Sequence, residues 1–152
     1  MGFGLPAAIG AALAAPGRRV ACVSGDGSIL MNIQELATLA ELDLPVAVLV
    51  FNNAHLGLVR QQQELFYGRR YSASRFRSSP DFGAIARGFG LRGVAIDPAG
   101  DPLGQLAAAL AAPGPCLIDL PICAGANVLP MVPPGAANSQ TLTEAPPALA
   151  RA

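Results

Sequence analysis

Four short runs of consecutive apolar residues divide this chain, and helix-period segments fill the intervals. The runs are residues 20–24, ending at Gly25; 45–51, ending at Asn52-Asn53; 91–96, interrupted by Gly93; and 116–120. Continuous rather than alternating apolarity marks strands buried on both faces, as in a parallel sheet. Between the runs, Ile33, Leu36, Ala37 and Ala40 share one helix face, as do Phe82, Ile85, Ala86 and Phe89, and again Leu103, Leu106, Ala107 and Leu110. Asn32, with Glu35 three residues on, reads as a capping box; Ser79 reads as an N-cap and Pro80 as a first helical residue. Residues 6–15 form a small-residue helix able to pack closely on a sheet, and 58–66 read as a further helix. The order α-β-α-β-α-α-β-α-β means an α/β fold: an open, mostly parallel sheet with helices on both faces. A glycine-rich turn and helix open the chain with no strand before them, so the first strand of such a domain is expected to be missing. Residues 1–124 are read as the domain and 125–152 as a Pro-rich extended tail.

Composition narrows the function classes. The chain has 152 residues, 52% apolar and 13% charged, with ten basic and ten acidic side chains. That balance offers no electrostatic footprint for nucleic acid or an anionic membrane. Every basic residue is Arg, which removes a P-loop lysine and a Schiff-base lysine from consideration. The apolar run at 46–51 is far too short to span a bilayer. Cys22, Cys116 and Cys123 form no C-x-x-C pair and read as small apolar residues in a reducing, cytoplasmic setting.

Two turns carry chemistry. Gly25-Asp26-Gly27-Ser28 directly follows a buried run, where ligands bind in open α/β sheets. Glycines there admit a phosphate to backbone N–H groups. A carboxylate among them repels a phosphate unless a divalent cation lies between, so Asp26 reads as a metal ligand. Asn53 follows the next strand, 27 residues on, after one crossover. A carboxylate and an amide oxygen suit octahedral Mg²⁺.

This pair of turns resembles the signature of thiamine diphosphate enzymes. Further stretches resemble the acetolactate synthase (acetohydroxyacid synthase) large subunit, closest to the isozyme I type: Met1-Gly-Phe-Gly-Leu-Pro-Ala-Ala-Ile-Gly10, Met31-Asn-Ile-Gln-Glu-Leu-Ala37, Leu65-Phe-Tyr-Gly68 and Pro130-Met-Val-Pro-Pro-Gly-Ala-Ala-Asn138. The resemblance implies that thiamine diphosphate and Mg²⁺ are the cofactors. It gives Asp26 and Asn53 to the metal by side chain and His55 by its backbone carbonyl. Gly25, Gly27 and Ser28 would cradle the diphosphate. Met1 would lie beneath the cofactor, with Leu56, Gly57 and Leu58 beside it. Leu58 and Gln62 would line the substrate pocket. Many relatives carry Trp where this chain has Gln62, a wall that favours 2-ketobutyrate as acceptor; Gln there points to pyruvate as both donor and acceptor.

The implied reaction condenses two pyruvates to 2-acetolactate and CO₂, in branched-chain amino acid biosynthesis. The glutamate that activates the cofactor lies in the family's pyrimidine-binding domain, supplied by a partner chain. None of Glu35, Glu41 and Glu64 matches its position, so no catalytic residue is assigned in this chain. The chain reads as a C-terminal fragment, inactive alone, with a homo-oligomer and a regulatory small subunit as further partners of the complete enzyme. Rival readings are another carboligase such as glyoxylate carboligase, which the 130–138 motif disfavours, and a noncatalytic cofactor-binding remnant. A nicotinamide-binding reading of Gly2-Phe-Gly4-Leu-Pro-Ala7 fails for want of a preceding strand.

Overall fold

The structure is a computed structural model that describes residues 1–144. It divides into two compact units. The first comprises Met1–Ala54 and Ser78–Ile122; the second comprises His55–Arg77 and the chain from Cys123 onward.

The first unit is built on four parallel strands: β1 (Val20–Gly25), β2 (Val46–Asn52), β3 (Arg92–Ala95) and β4 (Cys116–Pro121), in the order β1-β2-β4-β3. Helices α1 (Gly4–Ala14), α2 (Asp26–Ile29), α3 (Glu35–Glu41), α5 (Phe82–Gly88) and α6 (Pro102–Ala111) belong to it. Alternate residues of β2 face opposite ways. Val46, Val48 and Val50 join Leu5, Leu36, Leu39 and Phe82 in one core, beneath α1, α3 and α5. Ala47 and Leu49 join Cys116, Ile118 and Ala109 in a second, beneath α6. Both faces of the sheet therefore carry helices, as the continuous apolar runs require.

β1 departs from its expected burial on both faces. Cys22 is buried, but Val23 is 60% exposed. β1 is an edge strand, and α6 packs over β4 rather than β1. Three helix details differ from the sequence reading. Asn32 does not cap α3; its amide donates to the Gly2 carbonyl, and Leu36 and Leu39 form the buried face while Ala37 is exposed. α5 starts at Phe82, capped by Asp81, whose Oδ1 accepts from Ala84 N at 2.8 Å. A short carboxylate one residue from the helix out-competes Ser79, two positions further away. On α6, Leu103 is 78% exposed and Ala109 takes the inward position.

Gly93 is where α5 meets β3. A Cβ there would run into the Gly83 backbone, including its carbonyl oxygen and, at 2.9 Å, its Cα. Backbone cannot swing aside, so Gly93→Ala should cost about 1–3 kcal/mol of stability by overpacking. Equilibrium denaturation checks this; an unchanged midpoint would mean that α5 slides freely on β3.

The second unit centres on α4 (Gly57–Phe66), whose burial is inverted. Arg60 and Gln61 are buried, whereas Leu58 is 64% and Val59 43% exposed. The polar face grips the C-terminal segment. Arg60 donates to the Gly125 and Ala126 carbonyls at 3.2 Å, to Asn127 Oδ1 at 2.5 Å and to Glu64 at 2.5 Å. Gln61 exchanges two hydrogen bonds with the Val128 backbone, at 2.7 and 2.9 Å. Met131 and Leu142 then pair as an antiparallel bridge. Among the described residues, no helix is long and apolar enough to cross a membrane.

Candidate functional site

All four strands run the same way, so their carboxyl ends share one edge of the first unit, where open α/β sheets bind ligands. Gly25 is the register partner of Phe51, which sets Asp26 one residue and Asn53 two residues beyond the last paired position.

Asp26 is only 3% exposed. Its Oδ1 accepts from Gly27 N at 2.7 Å, so that N–H, expected to face a phosphate, is engaged by the carboxylate. Its Oδ2 is buried with no partner. A buried carboxylate oxygen left unsatisfied is costly, and a cation or a hydrogen-bond donor reaching it removes the cost. A Cβ on Gly25 would meet nothing within 4 Å, so the space before α2 is open. Ser28 Oγ accepts from Gly2 N at 3.0 Å, which leaves its hydroxyl hydrogen to donate elsewhere. Gly2, at φ +76°, is thus held at both its N–H and its carbonyl, by Ser28 and Asn32. The neighbouring Met1 is 90% exposed.

The two asparagines have different tasks. Asn52 donates to Asp119 Oδ1 at 3.0 Å and to Ser79 Oγ at 3.1 Å, and its Oδ1 accepts from Ala54 N at 3.1 Å. Asn53, half-buried, follows it beyond the strand end. Burial pushes the Asp119 carboxyl above the ordinary carboxylate value; the Asn52 hydrogen bond opposes this, and the charges of Asp26 and Asp81 add to the rise. A raised folded value means the folded state holds the proton more tightly than the unfolded chain. Asp119 therefore favours folding below its unfolded pKa, and that contribution is lost as pH rises through the folded value. Asp119→Asn should accordingly be neutral or stabilising at pH 7 relative to its effect at pH 4. Thermal melts at the two pH values check this; a variant relatively more harmful at pH 7 would contradict it.

In the second unit, His55 pairs with Arg75 as an antiparallel bridge, and Leu56 N donates to the Ser74 carbonyl at 2.7 Å. Gly57 begins α4, and Leu58 and Gln62 lie four residues apart on its exposed face. Among the described residues, no three His, Cys, Asp or Glu side chains gather as a metal site. The site expected from the sequence is of another kind, one carboxylate, Asp26, with one amide, Asn53. Burial pushes the Cys22 thiol up, away from the thiolate form a nucleophile needs, and Cys116 is buried too. An apolar groove of about 260 Å³, bounded by Leu49, Phe51, Ile96, Leu106 and Ile122 among others, carries no titratable side chain.

Residues 1–120 match the family described as thiamine pyrophosphate enzyme, C-terminal TPP binding domain. The chain belongs to that family. Thiamine pyrophosphate is thiamine diphosphate, and the matched residues take in the four strands as far as Leu120, the turn that carries Asp26 and the segment His55–Arg77. The chain is 55% identical over 141 residues to the acetolactate synthase large subunit of Parasynechococcus marenigrum, covering 92% of this chain and 23% of that protein. It is 51% identical over 144 residues to the isozyme 1 large subunit of Escherichia coli, covering 95% and 26%. It thus spans about a quarter of the length of these relatives. Among solved structures, a thiamine diphosphate-dependent 4-hydroxybenzoylformate decarboxylase of Rhodococcus jostii RHA1 superimposes with a TM-score of 0.73 at 36% identity, over 81% of this chain and 23% of that one.

Sequence reasoning missed Asn52, Ser79 and Asp119 as a unit. Asn52 and Ser79 are 27 residues apart, and Asn52 and Asp119 are 67 apart. Only the insertion of β4 beside β2 brings them together. It also missed the Arg60 and Gln61 clasp, whose partners Gly125 and Val128 lie 65 and 67 residues on.

Proposed function

We propose that this chain is the diphosphate- and Mg²⁺-binding part of an acetolactate synthase. The observation that carries the reading is the buried, unpartnered Asp26 Oδ2 at the carboxyl edge of a thiamine pyrophosphate-binding fold. Asp26 and Asn53 would hold Mg²⁺ by side chain, and the family resemblance assigns the His55 backbone carbonyl to it as well. Gly25, Gly27 and Ser28 keep room for the diphosphate, and the Ser28 hydroxyl donates to it. Thiamine diphosphate, when bound, supplies the carbanion chemistry that lets one 2-keto acid lose CO₂ and join another. Met1 would lie beneath the cofactor, with Leu56, Gly57 and Leu58 beside it. Pyruvate is both donor and acceptor, and the product is 2-acetolactate. A partner chain's pyrimidine-binding domain supplies the activating glutamate, so this chain alone turns over nothing. A homo-oligomer with a regulatory small subunit is the assembly this reading expects, in the cytoplasm.

The experiment is reconstitution. The chain, mixed with the remaining domains of an isozyme I large subunit, is given pyruvate, thiamine diphosphate and Mg²⁺. Formation of 2-acetolactate in the mixture and in neither part alone supports the reading; turnover by the chain alone sinks it. In the active mixture, Gln62→Trp should shift acceptor choice toward 2-ketobutyrate by about tenfold, the worth of one methylene in an apolar pocket. Competition between the two acceptors measures this, and an unchanged product ratio would remove Gln62 from the pocket.

A further inference from the structure

We propose that Asp119 is a positioning residue for Asn53, acting through Asn52 and the turn at Ala54. The inference rests on the reading of Asn53 as a cation ligand. An ionised carboxylate only accepts hydrogen bonds. Asp119 therefore compels Asn52 to turn its NH₂ toward it, at 3.0 Å from Oδ1 and 3.4 Å from Oδ2. The carbonyl oxygen of the same amide must then face the other way. There it accepts the Ala54 N–H at 3.1 Å.

Ser79 cannot make this choice, because its hydroxyl both donates and accepts. It contacts Asn52 Nδ2 at 3.1 Å and Oδ1 at 3.3 Å, and it serves either orientation. Ala54 is at φ +55°, a left-handed conformation that residues with a Cβ disfavour. The side-chain bond from Asn52 holds it there. The chain bends at Ala54, immediately after Asn53, so this bond bears on the direction in which Asn53 leaves the sheet. The Asn52 main-chain carbonyl is also tied down, accepting from Ile122 N at 2.9 Å. The strand end is thus fixed, and only the amide orientation is left for Asp119 to decide. With an apolar residue at 119 the amide can flip and offer NH₂ to the Ala54 N–H, two donors face to face.

The test uses the whole chain and two readouts. Amide hydrogen exchange of Ala54 is followed without cofactor. Uptake of Mn²⁺ in the presence of thiamine diphosphate is followed by the spin-resonance signal of free Mn²⁺. Asp119→Leu should speed Ala54 exchange about tenfold and weaken Mn²⁺ uptake about tenfold, the scale of one lost hydrogen bond. Amides of central β2, such as Val48, should stay unchanged. Asp119→Asn, which still offers an acceptor oxygen, should recover most of both losses. Unchanged Ala54 exchange in Asp119→Leu overturns the inference, as does an equal acceleration along all of β2, which would signify general loosening. If Ala54 responds but the wild-type chain takes up no Mn²⁺, the cation reading falls and the role toward Asn53 falls with it. If the wild type binds and Asp119→Leu binds equally well, the inference alone falls.

Discussion

Truncating Arg60 to alanine should weaken the second unit by about 3–5 kcal/mol, the cost of breaking a buried ion pair from one side. Arg60 is 7% exposed and spends its guanidinium on four acceptors: Glu64, two consecutive main-chain carbonyls and Asn127. Its removal leaves the Glu64 carboxylate, 16% exposed, without a cation. It also leaves the carbonyls of Gly125 and Ala126 without their donor. Arg60→Lys should rescue little, because an ammonium lacks the planar fork that reaches both Glu64 and the 125–127 segment. Hydrogen exchange would show the loss first at residues 125–131. A cost below about 1 kcal/mol, the range of exposed pairs, would mean that water already shares this cluster.

Asp26→Asn should act in opposite directions with and without cofactor. Without it, a neutral amide replaces a buried carboxylate whose Oδ2 has no partner, and stability should rise by about 1–2 kcal/mol. The Gly27 N–H keeps its acceptor, since Oδ1 is retained. With thiamine diphosphate and Mg²⁺ at about a hundred times the dissociation constant, the wild-type chain should gain about 2.7 kcal/mol and the variant nothing. The crossing of the two stability orders is the signature of a site held under strain for a ligand. Melting curves of both proteins, with and without cofactor, would show it. A variant less stable than wild type in both conditions would make Asp26 a structural residue.

Much of this architecture was legible because burial on two faces leaves a continuous apolar record. Residues 45–51 and 116–120 became the two central strands, β2 and β4, packed against helices on either side. Residues 20–24 misled for the same reason: β1 carries the composition of a covered strand, yet Val23 is 60% exposed in this chain. Helix starts were less legible. Asn32 and Ser79 both have capping chemistry, but each found a tertiary partner instead, Gly2 and Asn52. The glycine-aspartate turn was readable because its residue types are rare together after a strand. The Asp119–Asn52 pair was not, since an aspartate in an apolar run carries no local sign of what it faces. α4 was legible as a helix but not in its orientation, because Arg60 and Gln61 are buried by hydrogen bonding rather than by apolarity.

The central claim is that the carboxyl edge of the sheet holds thiamine diphosphate through a divalent cation. Calorimetric titration of thiamine diphosphate into the purified chain, once with Mg²⁺ and once with a chelator, tests it most directly. The account predicts saturable binding of one cofactor per chain with Mg²⁺, and none with the chelator. Binding of equal strength in both, or none by a folded chain with Mg²⁺ present, would contradict it.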